Sequence, residues 1–83
     1  MTTTELRINR DITVAASAEG LTISLKFITG TNTIRPIELS RAEAIKVGGD
    51  ITKTGSSDLI PIRFTSEDAA VFGPWLMRFA ADA

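Results

Sequence analysis

Residues 21–27 read Leu-Thr-Ile-Ser-Leu-Lys-Phe, a stretch in which apolar and polar side chains alternate without exception. Successive side chains of a β-strand point to opposite faces of a sheet, so this pattern predicts a strand with one buried and one polar face. Residues 6–16 alternate in the same way, with Arg10 as the one flaw in the apolar row, and residues 17–20 supply a turn that ends in Gly20. The N-terminal part of the chain is therefore predicted to be an antiparallel hairpin.

A third extended stretch follows at residues 33–39. It contains Pro36, which lacks the N–H group that a central strand donates to its neighbour. We therefore expect this strand at an edge of the sheet, or a local break in its pairing.

Part of this third stretch recurs 25 residues later, because residues 34–48 and 59–73 share several residue types at equivalent positions. Each segment is predicted to be a short strand that leads through Ser40 or Thr65 into a helix with an acidic residue in its first turn. The recurrence is either a chance repetition of a common strand-to-helix junction or a duplication. The identical pairs are Pro36 and Pro61, Ile37 and Ile62, Ala44 and Ala69, and Gly48 and Gly73.

The first predicted helix starts at Ser40 and ends near Val47, because the next two residues are glycines, which favour the end of a helix. Residues 50–58 are polar; a short strand around residues 51–54 is one prediction, and the segment is otherwise predicted to be a mobile loop. The second predicted helix starts at Thr65 and has apolar residues at spacings of three and four. Pro74 inside it is expected to kink the helix or to divide it in two.

These elements predict an α+β fold, with an antiparallel sheet in the order β-β-β-α-β-α and two helices packed on one face, the C-terminal helix kinked at Pro74. The 83 residues are expected to form a single small domain over residues 1–83, with residues 1–5 frayed. The predicted inner-face residues are Leu21, Ile23, Leu25, Phe27, Ile37, Leu39, Ile62, Phe64, Phe72, Leu76 and Phe79.

The composition excludes most catalytic chemistry. The chain has neither His nor Cys, and 9 Lys and Arg residues against 10 Asp and Glu residues give a net charge of −1. It therefore lacks the commonest general base and every thiolate ligand or nucleophile. The glycine-containing segment 48–58 departs from a phosphate-binding loop, because Ser56 follows Gly55 where such a loop has Lys. We predict no catalytic residue, no cofactor, no metal site and no enzyme activity.

The same sequence argues against export and membrane insertion. Residues 1–7 contain no apolar core of the kind that a secretion signal needs. The longest apolar stretch, residues 69–77, is interrupted by Gly73 and Pro74, whereas a membrane-spanning helix needs about 20 apolar residues. We expect a soluble, cytoplasmic protein with no membrane partner.

Trp75 is the residue that a simple core does not explain. On a helical wheel it lies with Val71 and Arg78, away from the predicted buried stripe, and Met77 also lies off that stripe. Trp75 either folds over the end of the sheet as a core residue or forms part of an interface, where Trp and Met are enriched.

The leading hypothesis is a non-enzymatic module that binds a protein partner, such as a small regulator or inhibitor of the kind that phages and mobile elements encode. A homodimer is a further possibility, because small domains with a spare apolar face often associate. The candidate surface joins one helix face to the edge of the third strand. Its predicted partner-binding residues are Val71, Trp75, Met77, Arg78, Arg35 and Glu38.

Two other classes remain open. Arg7, Arg10, Arg35 and Arg63 fall on predicted strands, and a nucleic-acid-binding accessory protein could use them. Exposed aromatic residues between these arginines are missing, and the net charge of −1 gives little attraction to phosphate, so nucleic acid is the less favoured partner. The third class is a small-ligand or minor enzyme role for residues 48–58.

Overall fold

The structure, a computed structural model, describes residues 2–30, 32–33 and 36–82 and confirms the predicted α+β class. An antiparallel sheet of five strands, two of which share one position beside β3, is covered on one face by two helices. Strands β1, β2 and β3 are consecutive neighbours, and β4 and β5 both pair with the other side of β3. The elements are β1 (Thr2–Arg7), β2 (Ile12–Glu19), β3 (Thr22–Thr29), β4 (Asn32–Thr33), β5 (Ile37–Ser40), α1 (Arg41–Thr54) and α2 (Ser66–Asp82).

The predicted order of elements is wrong, because every strand precedes both helices. Residues 61–65 form no strand, and the nearest pairing is an isolated bridge between Ser57 and Ile60. Phe64 is nevertheless buried, and its N–H donates to the carbonyl oxygen of Gly55 over 2.7 Å. This segment therefore places an aromatic ring in the core without strand pairing, and the Phe64 N–H bonds to the residue that ends α1.

The strand predicted over residues 6–16 is in fact two strands joined by a tight turn. The side-chain oxygen of Asn9 accepts the backbone N–H groups of Asp11, over 2.7 Å, and of Ile12, over 2.9 Å. Arg10 lies in this turn, which explains why it interrupts the apolar row. Residues 2–5, expected to be frayed, instead pair with β2, from Thr2 opposite Ala18 onward.

The third predicted strand lies at the sheet edge and is interrupted near its proline, as the sequence predicts. Ile37 of β5 pairs with Leu25, and Thr33 of β4 pairs with Ile28. Pro36 lies between these paired segments and belongs to neither strand.

Helix α1 begins with the predicted capping box. The Ser40 hydroxyl accepts the Glu43 backbone N–H over 3.1 Å, and the Ser40 backbone N–H donates to Glu43 Oε1 over 2.9 Å. The hydrogen bond from the Ser40 backbone N–H lowers the pKa of the Glu43 carboxyl most, and one from the Ser40 side chain lowers it further. A hydrogen bond donated to a carboxylate favours its ionised form.

The predicted end of α1 is wrong, because the helix continues through both glycines to Thr54. Residues 50–54 are therefore helical, and neither the short strand nor the loop predicted there forms. The helix ends at Gly55, whose φ of 79° is the left-handed conformation that glycine adopts without strain.

A close contact between the helices explains why a glycine lies inside α1. A Cβ atom on Gly48 would lie 2.6 Å from Cγ of Met77 and 2.8 Å from the carbonyl oxygen of Gly73. A Cβ atom on Gly73 would collide with Oγ1 of Thr52 and lie 2.8 Å from the carbonyl oxygen of Gly48. Gly49 has open space around it. Packing of the two backbones therefore outweighs the low helix propensity of Gly48.

The core lies between the sheet and the helices, and each predicted inner-face residue except Leu21 is buried in it or half-buried at its margin. Leu21 is 77% exposed, because it lies in the turn between β2 and β3. Ile37, Ile62 and Phe79 are half-buried at the margin of the core. The buried apolar residues are Ile8, Val14, Ala16, Ile23, Leu25, Phe27, Leu39, Ala44, Val47, Ile51, Ile60, Phe64, Ala69, Phe72, Leu76 and Ala80.

Helix α2 runs from Ser66 to Asp82 as one helix with Pro74 inside it. It is not divided at Pro74, and the kink there stays a prediction. The described helices include none that is long and apolar enough to cross a membrane.

Candidate protein-binding surface

The sheet face opposite the helices consists largely of short polar side chains. Thr3, Ser17, Ser24 and Glu38 are cross-strand neighbours and form one row across it. The depression beside this row has a volume of about 220 Å³ and is lined by hydroxyl and carboxylate groups. No polar or charged residue is buried among the residues whose burial is described, so this face holds no enclosed polar site.

One edge of the sheet is formed by β1. This strand pairs with β2 on one side, and no strand within residues 2–30, 32–33 and 36–82 pairs with its other side. An edge strand presents unpaired N–H and C=O groups, to which another strand can bind.

The hydrogen bonds of the β1–β2 turn show which residues of β1 face the free edge. Ile8 lies next in register after Arg7, opposite Ile12, and its N–H donates to the Ile12 carbonyl oxygen over 2.9 Å. Bonded and non-bonded pairs alternate along an antiparallel ladder, so the even-numbered residues of β1 bond to β2. Thr3, Glu5 and Arg7 therefore direct their backbone groups outward.

The side chains of β1 alternate between the two faces of the sheet. Glu5 and Arg7 are exposed on the polar sheet face, whereas Leu6 is half-buried against the core. The edge therefore presents one carboxylate and one guanidinium on the polar face, with an apolar side chain between them on the other face.

One flank of α2 carries an aromatic pair that is only partly buried. The rings of Trp75 and Phe79 stack with centroids 5.7 Å apart and an interplanar angle of 17°, and both residues pack against the core. Phe72, with its ring centroid 6.1 Å from that of Trp75, links this pair to the buried aromatic cluster. Trp75 thus packs on the core and also contributes to the protein surface.

Two contacts orient this aromatic flank. Asp68, Trp75 and Phe79 lie along one row of α2, at spacings of seven and four residues. Asn9 Nδ2 donates to Asp68 Oδ2 over 2.6 Å, so the start of this row contacts the β1–β2 turn. Gly73 lies on the opposite flank and contacts α1, which packs against β3 and β5. We therefore infer that the Trp75–Phe79 flank faces away from α1, toward the β1 side of the sheet.

The structure brings together only some of the partner-binding residues that the sequence predicts. Val71, Trp75 and Arg78 share one side of α2; Val71 is 44% exposed, and Arg78 is exposed. Met77 lies near Gly48 on the flank that contacts α1. Glu38 is exposed on the polar sheet face, away from α2, and Arg35 lies outside the described residues.

Sequence reasoning missed the edge of β1 and the role of Asn9. Glu5, Leu6 and Arg7 alternate in polarity as a half-buried strand does, which was the available signal for the strand. The triplet Asn9-Arg10-Asp11 is typical of a turn, because Asn and Asp side chains bond nearby backbone N–H groups.

Among the described residues, the predicted row of strand arginines does not form, and Arg35 lies outside them. Arg7 lies on β1, but Arg10 lies in the turn after it, and Arg63 lies in the irregular segment before α2. The prediction depended on strands over residues 6–16 and 59–65, and neither exists as one strand.

Neither a metal site nor a similar protein adds to the description of this surface. The described residues contain no group of three or more Asp and Glu side chains that could hold a metal ion. Comparison with protein-family models, curated proteins and solved structures finds no match to this chain.

Proposed function

We propose that this protein is a non-enzymatic module that acts by binding another protein, whose strand adds to the free edge of β1. In this proposal it regulates or inhibits its partner in the cytoplasm, as small proteins of phages and mobile elements do. The observation that supports it is the outward direction of the backbone groups of Thr3, Glu5 and Arg7.

Strand addition matches the physical character of this edge. A bound strand gains affinity from main-chain hydrogen bonds and specificity from the side chains on either side of it. Here Glu5 and Arg7 select the charges of the partner on the polar face, and half-buried Leu6 offers an apolar contact on the other face.

The aromatic flank of α2 supplies a second contact. Trp and Phe are enriched at protein interfaces, since a large ring buries much apolar area with few rotatable bonds. Trp75 and Phe79 are half-buried in the isolated chain, and the inferred direction of their flank places them near the β1 edge. A partner strand on β1 would therefore have these rings beside it.

The experiment compares Glu5→Pro with Glu5→Ala. The Glu5 N–H points outward, so proline removes a donor from the free edge and none from the β1–β2 ladder. Alanine removes the same side chain and keeps that donor. The tagged wild-type protein should retain a protein from a lysate of its native host, and the partner identified by mass spectrometry should then be purified for calorimetric titration.

We expect the purified partner to bind the wild-type and Glu5→Ala proteins and to lose most of its affinity for Glu5→Pro. Circular dichroism and thermal unfolding should confirm that both variants keep the fold. Trp75→Ala should weaken binding as well if the flank takes part. Unchanged affinity for a folded Glu5→Pro variant would overturn the proposal.

A further inference from the structure

We infer that the strand bound at this edge is β1 of a second copy, so that two chains form one continuous antiparallel sheet. The inference rests on the proposed function, because it names the partner of the same edge. It goes further by fixing both the chemistry and the register of the contact.

Two-fold symmetry and the direction of the free backbone groups allow only a few registers between β1 and β1 of the second copy. Two copies related by a two-fold axis perpendicular to the sheet keep their polar faces on the same side, and only outward-facing residues can form bonded pairs. The outward residues are Thr3, Glu5 and Arg7. Among these, Glu5 can lie opposite Thr3, Glu5 or Arg7 of the second copy.

The charges on β1 distinguish these three registers. Glu5 opposite Glu5 places two carboxylates together, and directly opposed like charges are destabilising. Glu5 opposite Thr3 forms no charge pair. Glu5 opposite Arg7 forms two identical acid–base pairs, one on each side of the axis. Both side chains are exposed, and Arg7 also donates from Nε to the Asn9 carbonyl oxygen over 3.4 Å. Charge complementarity therefore selects the third register.

The same register also suits the apolar side of the strand. The axis then passes between Leu6 and Leu6 of the second copy, which meet on the helix-covered face of the sheet. Leu6 is only half-buried in one chain, so the contact extends an existing core. The two Trp75–Phe79 flanks lie on that same face, one on each side of the junction.

Charge reversal tests this arrangement on the purified full chain. Sedimentation equilibrium over a wide concentration range should show a reversible dimer for the wild-type protein. Arg7→Glu and Glu5→Arg should each weaken dimerisation by about tenfold or more, since two cross-strand pairs become repulsive at once. The double variant, with both residues exchanged, should dimerise like the wild type.

Mixing provides the sharper control. The Arg7→Glu chain is acidic at both positions and the Glu5→Arg chain is basic at both, so the two are complementary in this register. Each variant alone should be mainly monomeric where the wild type is dimeric, and an equal mixture should form a heterodimer. General loss of structure in either variant could not produce that recovery.

Amide hydrogen exchange reports the register directly. On dimerisation the N–H groups of Glu5 and Arg7 should become protected, while that of Thr3 continues to exchange. Protection of Thr3 and Glu5, or of all three, would indicate one of the other two registers and overturn the inference.

The outcomes also separate this inference from the proposed function. A wild-type chain that stays monomeric at every concentration overturns the dimer, while the Glu5→Pro experiment with a different protein still tests strand addition. A dimer that tolerates both charge reversals and Glu5→Pro has its contact elsewhere and also overturns the inference.

Discussion

Residues 37–48 and 62–73 belong to the two recurring segments and place equivalent residues in the core, yet their backbones begin differently. Leu39 lies in β5, whereas the equivalent Phe64 lies in an irregular segment, and both are buried. Further along, both segments are helical, and Gly48 and Gly73 meet where α1 and α2 pack together.

The difference shows that burial is encoded more locally than strand pairing. The first segment reaches the side of β3 that β2 leaves open, and it pairs there from Ile37 to Ser40. With that position occupied, Phe64 bonds through its backbone to Gly55 instead. An apolar pattern can therefore place a side chain in the core, while the position of a free strand edge decides whether the backbone becomes β-structure.

The largest expected effect comes from the two equivalent core residues. Phe64 contacts the rings of Phe27 and Phe72, with centroids 6.3 Å and 5.1 Å away. Phe64→Ala should lower the free energy of unfolding by about 3–5 kcal/mol, and Leu39→Ala by about 2–5 kcal/mol. Urea denaturation measures both, and a loss under about 1 kcal/mol at Phe64 would show that irregular backbone does not anchor the core as strand backbone does.

The next effect concerns the paired glycines. Gly73→Ala and Gly48→Ala should each destabilise the fold by about 1–3 kcal/mol, because the added methyl group meets backbone oxygen of the other helix. Gly49→Ala is the matched control, since it has open space and should stabilise α1 by about 0.5–1 kcal/mol. Thermal unfolding of the three variants tests this, and the explanation fails if Gly48→Ala and Gly49→Ala behave alike.

Removing the capping hydroxyl at either helix start should lower the free energy of unfolding by a smaller amount, and by more at Ser40 than at Thr65. Ser40 forms both bonds of a capping box, and Thr65 accepts the Asp68 N–H over 3.2 Å, while the Asp68 carboxylate binds Asn9. Ser40→Ala should cost about 1 kcal/mol, and Thr65→Ala less. Equal losses in urea denaturation would mean that the Ser40 hydroxyl stabilises its helix start no more than the Thr65 hydroxyl does.

The smallest effect is a pH dependence of the first helix start. The pKa of Glu43 is lower in the folded chain than in the unfolded one, so ionised Glu43 stabilises the fold. That stability is present above the unfolded pKa and is lost as the pH falls through the folded pKa. Glu43→Gln should therefore reduce the loss of stability on acidification, measured as the midpoint of urea unfolding at neutral and acidic pH. An unchanged acid profile would contradict this assignment.

Local signals in the sequence predicted much of the fold. Alternation identified β3, the Ser40 and Thr65 positions identified both helix starts, and Pro36 identified the interrupted edge strand. Each of these features depends on residues that are close together in the sequence and on how side chains repeat along a strand or helix.

The errors arose where distant contacts decide the structure. Helix α1 passes through Gly48 because α2 lies against it, and no pattern within α1 contains that information. For the candidate site, the sequence singled out Trp75 but placed Met77 on the same surface. Residues 1–5 were expected to be frayed, but residues 2–7 form the edge strand β1. Which strand lies at an edge depends on the pairing of the whole sheet, which no local pattern contains.

The contact between Gly48 and Gly73 limits which substitutions the two helices can accept during evolution. A tight side-chain contact can usually be relieved by trimming its neighbour, and replacing Thr52 by a smaller residue would relieve part of the clash at Gly73. Trimming Met77 would relieve part of the clash at Gly48 in the same way. The remaining obstacles at each glycine are backbone atoms of the other helix, a carbonyl oxygen and an amide nitrogen, which no substitution removes. Second-site suppressors of a side chain at either position would therefore have to separate the helices, so both positions should resist replacement even where the surrounding apolar residues exchange freely.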